Sequence, residues 1–515
     1  MLLHDLYREA LQNTPDKPVL IVDETICTYR ELHEVSELWA KAFLQCGVKP
    51  GDRITILMEN RIEYLQLYFA CYRIGAVASP MSCVYQTLSD EVAFAVNLTK
   101  SKVLMVSSDY YPLISGIKGR APSLERVFVI DDSEDNEVSW KKFVQGTSGK
   151  IPWPEVKESD PAIIIFTSGS TDRPKGVTHT HYSILQGAIN KSTTMQLDNR
   201  DIYLIATMLC HASGSFGFSL PAIYKGGTVI FMGSYNTPGF LDLIEKYRPT
   251  HVTAVPTEVR EIISHPRSKK IDFTSIKTFM CGGDTVTHDI LEGFRELAGF
   301  ELNQGYGSTE CEEFLMNPPC GKNKRGSIGL PVHGAKVRLI NGEGRDVSQG
   351  ETGEIVVQNK ATMVGYWDDP VNTEKAFIDG WLRTGDLAYR DEEGYYFFVG
   401  RIKNIIVKGG GNIAPAEVED AINEHPGVKV SGVVGAPDEI LGQIVHAFIV
   451  VDKEGNGPGP SEEELKQFVG KKLSAFKVPD RWTFVESIPQ TSIGKIDRKA
   501  LSELARKHPE QPSHR

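Results

Sequence analysis

Strand-length apolar runs alternate with helical patterns along most of this chain, and no other feature restricts its fold so tightly. Arg53 to Met58, Lys102 to Val106 and Val127 to Ile130 are such runs, and the alternation predicts layered α/β sheets. From Gly326 to Tyr396 the texture changes to short strands split by glycine turns, as in Lys336 to Ile340, Gly353 to Val357 and Tyr395 to Val399. A small β unit is predicted there. Beyond Gly400, a strand at Asn404 to Val407 leads through Gly409-Gly410-Gly411 into a helix over Pro415 to Glu424, and α/β alternation resumes. A domain boundary near residue 400 follows. The 515 residues also exceed what one hydrophobic core organises.

The hydrophobic fraction of 41% and charged fraction of 24% are ordinary for a globular chain, without low-complexity runs. A formal net charge of -11 opposes an extended polyanion, so nucleic acid is not an expected partner, although a local basic pocket for one nucleotide is compatible with it. Met1 to Leu11 reads as an amphipathic helix and lacks the layout of a signal peptide. The most apolar stretch, Leu65 to Pro80, contains Arg73 and Gly75 and is shorter than the roughly 20 residues a bilayer crossing requires. Eight scattered cysteines with no C-x-x-C pair predict reduced thiols and a cytoplasmic setting.

Ile163 to Gly176 runs from a buried-type strand into a hydroxyl-rich loop: Thr167, Ser168, Gly169, Ser170 and Thr171, then Lys175. Small residues let backbone N–H groups approach oxygens, hydroxyls add donors and the lysine adds positive charge, which suits phosphates. It is not a Walker A loop, because Pro174 stands where that motif requires glycine. A solvated turn between strand and helix is the bland alternative.

Other segments decide. The loop, together with Gly282-Gly283-Asp284, Gly305-Tyr306-Gly307-Ser308-Thr309-Glu310, Thr384-Gly385-Asp386, Gly400-Arg401-Ile402-Lys403-Asn404 and Gly494-Lys495-Ile496-Asp497-Arg498, resembles the motif series of the adenylate-forming superfamily. That superfamily includes acyl-CoA synthetases, amino-acid adenylation domains and beetle luciferases. Thr28 to Leu32, Gly47 to Asp52 and Gly75 to Val77 also fit in order. The resemblance implies a large N-terminal domain over 1–402, made of two layered α/β sheets plus a small β-barrel, and a smaller mobile α+β domain over 403–515. It implies a carboxylic acid–CoA ligase that uses ATP, Mg²⁺ and coenzyme A and acts through an acyl-AMP intermediate, as a monomer or homodimer.

Each motif also carries chemistry. Tyr306 between Gly305 and Gly307 offers a flat ring for adenine, Thr309 a hydroxyl for a phosphate, and Glu310 the hard oxygen that Mg²⁺ prefers. Asp386 can accept from both ribose hydroxyls, and by resemblance Arg401 also reaches the ribose. Gly282 and Gly283 permit close approach of the backbone, with Asp284 replacing the small residue usual after them. By resemblance, Lys495 bridges carboxylate and phosphate during adenylation. By the same resemblance Lys403 occupies the family's hinge position, and Gly409 and Gly410 would line the thiol's tunnel, where a plain glycine turn is an equal alternative. His211 matches a position that gates the acyl pocket, and Ala212 stands where amino-acid adenylation domains place an aspartate, which disfavours an α-amino acid. Loading of a phosphopantetheine carrier protein, a luciferase-like oxidation of the adenylate and a non-catalytic nucleotide-binding module remain the alternatives, the last disfavoured by the presence of both Lys495 and Glu310.

Overall fold

The computed structural model describes residues 1–83, 88–114, 116–131, 138–149, 151–167, 174–284, 286–452, 459–490 and 496–507. Ser168, Gly169, Ser170, Thr171 and Lys495 therefore lie outside the described residues. Among the described residues, four sheets organise the chain. A nine-stranded sheet has a parallel centre formed by Pro18–Val22, Thr228–Phe231, Ile202–Ile205, His251–Ala254, Thr278–Cys281 and Asn303–Ser308. A seven-stranded sheet is built around Val77–Met81, Arg53–Leu57 and Val103–Val106, with Pro161–Thr167 and Lys175–Thr180 antiparallel toward one edge. Apart from Asn303–Ser308, which is polar and only partly buried, the strands of both centres are largely apolar runs buried along nearly their whole length, as parallel strands covered on both faces require.

The helix Ile62–Ile74 shows why these sheets share one core. It is apolar on every side, and all its residues except Glu63 and Arg73 are buried. Gly75, at φ 68°, closes it in the left-handed conformation that glycine adopts without strain. Tyr68, within it, donates a 2.7 Å hydrogen bond to the Leu209 carbonyl. Asn60 reaches both the Met232 carbonyl and the Leu209 amide, at 3.0 and 2.7 Å. These bonds fix the segment that leads into His211. The Thr28 motif has a local explanation: Thr28 caps the helix Tyr29–Gln45, its Oγ1 accepting from the Glu31 amide while Glu31 accepts from the Thr28 amide.

A five-stranded antiparallel sheet holds Lys336–Ile340, Gly353–Gln358, Phe377–Ile378, Trp381–Arg390 and Tyr396–Arg401, which is the predicted small β unit. A second five-stranded sheet, with Gly442–Val451 at its centre, Val428–Asp438 paired along it and the helix Pro415–Asn423 packed on it, forms the C-terminal part. Two local expectations shift. The helix expected over Met1 to Leu11 is a 3-10 turn at Leu3–Asp5 followed by a helix over Arg8–Asn13, because the chain bends to seat Leu3, Leu6, Tyr7 and Ala10 in one core. The strand expected from Asn404 begins instead as a 3-10 turn over Ile402–Asn404, and the strand itself is Ile406–Lys408. No described helix is long and apolar enough to cross a membrane.

The small β unit is tied to the nine-stranded sheet where Gly329 bridges Tyr396, whose amide donates to the Gly329 carbonyl at 3.0 Å. Gly329 has φ 99°, and a Cβ there would sit 1.9 Å from the Met316 carbonyl carbon. Gly329→Ala is therefore expected to destabilise the protein by about 3 kcal/mol or more through combined strain and backbone clash. A fall in the thermal unfolding midpoint checks this, and an unchanged midpoint contradicts it.

Candidate active site

Asn303–Ser308 pairs in parallel with Thr278–Cys281 only through Asn303 and Gln304. It then overhangs the carboxyl end of its neighbour, so Gly305–Ser308 pairs with Glu312–Met316 alone. Crevices at the carboxyl ends of such strands are where α/β sheets place ligands. The overhang is possible because Gly282 lacks a side chain: a Cβ there would lie 2.9 Å from the Gly305 carbonyl oxygen. Gly283 follows at φ 87°, exposed at this edge together with Asp284.

Tyr306 connects the edge to the small β unit. Its hydroxyl donates to Asp386 Oδ2 at 2.5 Å, and Arg401 Nε lies 3.2 Å from Oδ1 of the same carboxylate. Asp386 and Arg401 face each other across Trp381–Arg390 and Tyr396–Arg401, so the second contact is a direct cross-strand pair. Asp386 is 4% exposed, and its amide is fixed by Thr384 Oγ1 at 3.1 Å. Burial, and then the Asp386 charge, push the Tyr306 phenol well above its usual value, so the hydroxyl remains a donor. The ring meets Phe314 edge-on at 5.3 Å and tilts toward Phe398 at 6.0 Å.

Four residues beyond Tyr306, Glu310 accepts from the Tyr366 hydroxyl at 2.9 Å through Oε1. Lys175 Nζ lies 4.7 Å above the same tyrosine ring. Lys175 opens the strand Lys175–Thr180, and Thr167 is its cross-strand partner. The hydroxyl-rich segment thus joins two antiparallel strands, not a strand and a helix. Thr309 is held by its carbonyl, which accepts from His179 Nε2 at 2.7 Å, and the His179 Nδ1 faces the Ser183 hydroxyl at 3.2 Å. That pairing suits one neutral tautomer, and burial keeps the ring neutral by lowering its pKa to about 4.

Arg401 leads into Lys403, whose pKa is lowered by desolvation and then by the Arg401 charge, against the pull of Asp386, with the Lys175 charge lowering it further. Lys403 is accordingly within electrostatic reach of both halves of the site. Gly409 and Gly410, at φ 53° and 83°, form the two-residue tip of the hairpin joining Ile406–Lys408 to Gly411–Ile413. Both residues of such a turn need positive φ, so the glycine-turn account explains them fully in this conformation. The tip's contact is Leu441 of the C-terminal sheet unit, through the Gly409 amide, and the structure does not bring it to Asp386 or Glu310. His211 precedes the π-turn Ser213–Gly217, where its carbonyl accepts from the Ser215 amide at 2.8 Å.

The sequence reading passed over Tyr366, His179, Lys191, Glu312 and Glu313. The glycines also need a second explanation. A Cβ on Gly305 would lie 1.7 Å from Glu313 Oε1, and one on Gly307 would lie 2.0 Å from the Glu312 carbonyl oxygen. The space beside Tyr306 is therefore required by the neighbouring strand, whatever ligand approaches its other side.

The residues present fit the groups that the resemblance implies. Glu310 gives a half-buried hard oxygen of the kind that Mg²⁺ takes beside phosphates, and Lys175, over the Tyr366 ring, gives a cation for the phosphates themselves. Asp386 gives a buried carboxylate, held by a phenol and a guanidinium, that suits sugar hydroxyls.

Comparison with known proteins agrees with this geometry. The chain matches the AMP-binding enzyme family over residues 7–367 and the AMP-binding enzyme C-terminal domain over residues 417–495, and it belongs to that family. It is 32% identical over 499 residues to the fatty acid–acyl-carrier-protein ligase ScoC of Streptomyces coeruleorubidus, covering 95% of this chain and 94% of that one. It is 33% identical over 478 residues to a feruloyl-CoA synthase of an Amycolatopsis species, covering 92% of each. Among solved structures, an anthranilate CoA ligase, AuaEII, in complex with anthranoyl-AMP superposes with a TM-score of 0.90 at 25% identity, covering 98% of each chain.

Two outcomes follow from the site. Tyr306→Phe removes one donor to a buried carboxylate, a loss of about 1 to 1.5 kcal/mol, and is expected to raise the KM for ATP about 5- to 10-fold. Steady-state pyrophosphate release at varied ATP measures it. His179 and His181 are both held neutral, with pKa values lowered to about 4 by burial. Their unfolded-state pKa is about 6.5, so the unfolded chain binds more protons between pH 6.5 and 4. Their contribution is fully present above pH 6.5 and is lost on acidification, by up to about 3 kcal/mol for each ring. Unfolding midpoints across this window should fall with pH, and His179→Gln should flatten the dependence.

Proposed function

We propose that this enzyme is an acid–thiol ligase: it joins a carboxylic acid to ATP as an acyl-adenylate, releasing pyrophosphate, and then passes the acyl group to the thiol of coenzyme A. The observation that carries the reading is that Tyr306 and Glu310, on one short stretch, lead to Asp386 and Arg401 on one side and to Tyr366 and Lys175 on the other. That spacing offers separate anchors for the sugar and phosphate ends of one nucleotide.

In the first step an oxygen of the acid's carboxylate bonds to the α-phosphorus while the bond from that phosphorus to pyrophosphate breaks. Anion meets anion, so charge dominates the barrier. Lys175 offsets phosphate charge, with Thr167, Ser168, Gly169, Ser170, Thr171 and Thr309 supplying further hydrogen bonds. Asp386 and Arg401 hold the ribose, and Gly282, Gly283, Asp284 and Gly305 to Gly307 line the approach to the base. Glu310 would hold Mg²⁺, which would draw charge from the phosphates. Lys495 brings the cation that bridges the two reacting anions. In the second step the thiol sulfur bonds to the acyl carbon, the bond from that carbon to the phosphate oxygen breaks, AMP leaves and the thiol proton passes to solvent. The proposed division is 1–402 and 403–515, with Lys403 as the hinge that turns Gly409 and Gly410 toward the thiol. His211 stands near the acid. A cytoplasmic setting is proposed because all eight cysteines are free.

A second acceptor is favoured by one finding, the similarity to a ligase named for an acyl carrier protein. A free phosphopantetheine carrier would then replace coenzyme A without altering the first step.

Lys495→Ala is expected to slow adenylate formation by about 100-fold or more, as for loss of one preorganised donor, while largely sparing thioester formation from supplied acyl-AMP. Single-turnover assays of each half-reaction test this, and equal loss in both would contradict the assigned roles.

A further inference from the structure

A buried charged cluster lies beside the proposed nucleotide site and takes no part in it. Lys191, in the last turn of the helix His181–Thr194, pairs with Glu313 Oε2 at 3.0 Å, and only 3% of its side chain is exposed. Its Nζ also lies 3.7 Å from the Phe218 ring centroid. Glu312 is 6% exposed and enters the strand at φ 54°, an uncommon conformation for a non-glycine residue. Its side chain fills the space left by Gly187, where a Cβ would fall 2.2 Å from Oε1, one turn before Lys191. Oε1 of Glu312 has no hydrogen-bond partner among the described residues. Burial pushes this carboxyl up to about 8, with Lys191 opposing and Glu313 reinforcing, so it is mainly neutral near pH 7.

The location connects the cluster to the acid. Glu313 Oε1 lies against Gly305, immediately before Tyr306. On its other side, a Cβ on Gly217 would be 3.9 Å from Lys191 Nζ, and Gly217 ends the π-turn that follows His211. The three ionisable side chains thus sit between the His211 segment and the Gly305 strand. Burying an ion pair and an unpartnered carboxyl is costly, and packed hydrocarbon of the same volume is often as stable or more so.

We infer that Lys191, Glu313 and Glu312 form the polar end of the acid pocket and select acids that carry a neutral hydrogen-bonding group, a hydroxyl or amide, distal to the reacting carboxylate. The lysine and Glu313 cancel, and a neutral Glu312 both donates and accepts. A second carboxylate would find no uncompensated cation, and a plain hydrocarbon terminus would leave Glu312 unpaired. The inference rests on the ligase reading and adds the substrate class to it.

The test compares kcat/KM for pyrophosphate release by the full-length enzyme across size-matched acids: 4-hydroxy- against 4-methyl-substituted aromatic acids, 6-hydroxyhexanoate against heptanoate, and adipate. The hydroxylated member of the productive pair should exceed its methyl counterpart by about tenfold or more, with adipate poorest. In the paired replacement Lys191→Met with Glu313→Gln, which leaves no lone charge, that ratio should fall to about 2 or less. Release from several acids with the methyl members preferred in the wild type, or a ratio unmoved in a folded double variant, overturns the inference and leaves the ligase reading intact. No release from any acid overturns both. The wild-type comparison decides even where the double variant does not fold.

Discussion

The hydrogen bond from Tyr306 to Asp386 is the contact on which the site's geometry depends. It joins two sheets that share no continuous ladder in this region: the overhanging end of the nine-stranded sheet and the longest strand of the small β unit. Arg401 extends the same contact across one more strand to the beginning of the C-terminal part. A buried carboxylate cannot be left without partners, since an unpaired buried charge costs several kcal/mol, so this arrangement holds three parts of the chain in register by desolvation as much as by attraction. The Gly329 bridge to Tyr396 serves the same purpose through backbone alone.

Around this tie the fold places polar groups where the parallel strands end and keeps their supports dry. Tyr366 orders Glu310, His179 orders Thr309, and neither donor is itself placed to react. Supports of this kind remove motion from the groups proposed to meet the nucleotide, which matters when catalysis consists mainly of bringing like charges together at a fixed spacing. The C-terminal part contributes differently. Lys403 feels both Asp386 and Lys175, whereas the Gly409–Gly410 tip contacts Leu441 of its own unit. The proposed rotation about the first would present the second, as the proposed two-step chemistry requires.

Much of the architecture was readable in the sequence because it is written in local pattern. Apolar runs, glycine punctuation and the shift of texture after Gly326 depend on residues close in the chain, and so do the Gly305 to Glu310 string and Thr384 to Asp386. Tyr366 and His179 were not readable. Their partners lie 56 and 130 residues away, and a tyrosine or histidine in a strand carries no mark of a distant acceptor. The glycines were half readable: their lack of side chain was read as making room for a nucleotide, and at Gly305 the room is taken by Glu313. The buried Lys191 was hidden for the opposite reason, since a lysine on a helix is ordinarily a solvated residue.

The central claim is that separate strands converge on one ATP so that a carboxylate displaces pyrophosphate. Acid-dependent exchange of labelled pyrophosphate into ATP, followed in the absence of any thiol, tests it most directly. The account predicts exchange that requires both an acid and a divalent cation and that disappears in Asp386→Ala. Release of inorganic phosphate with formation of ADP, or exchange that is indifferent to the acid, would contradict it.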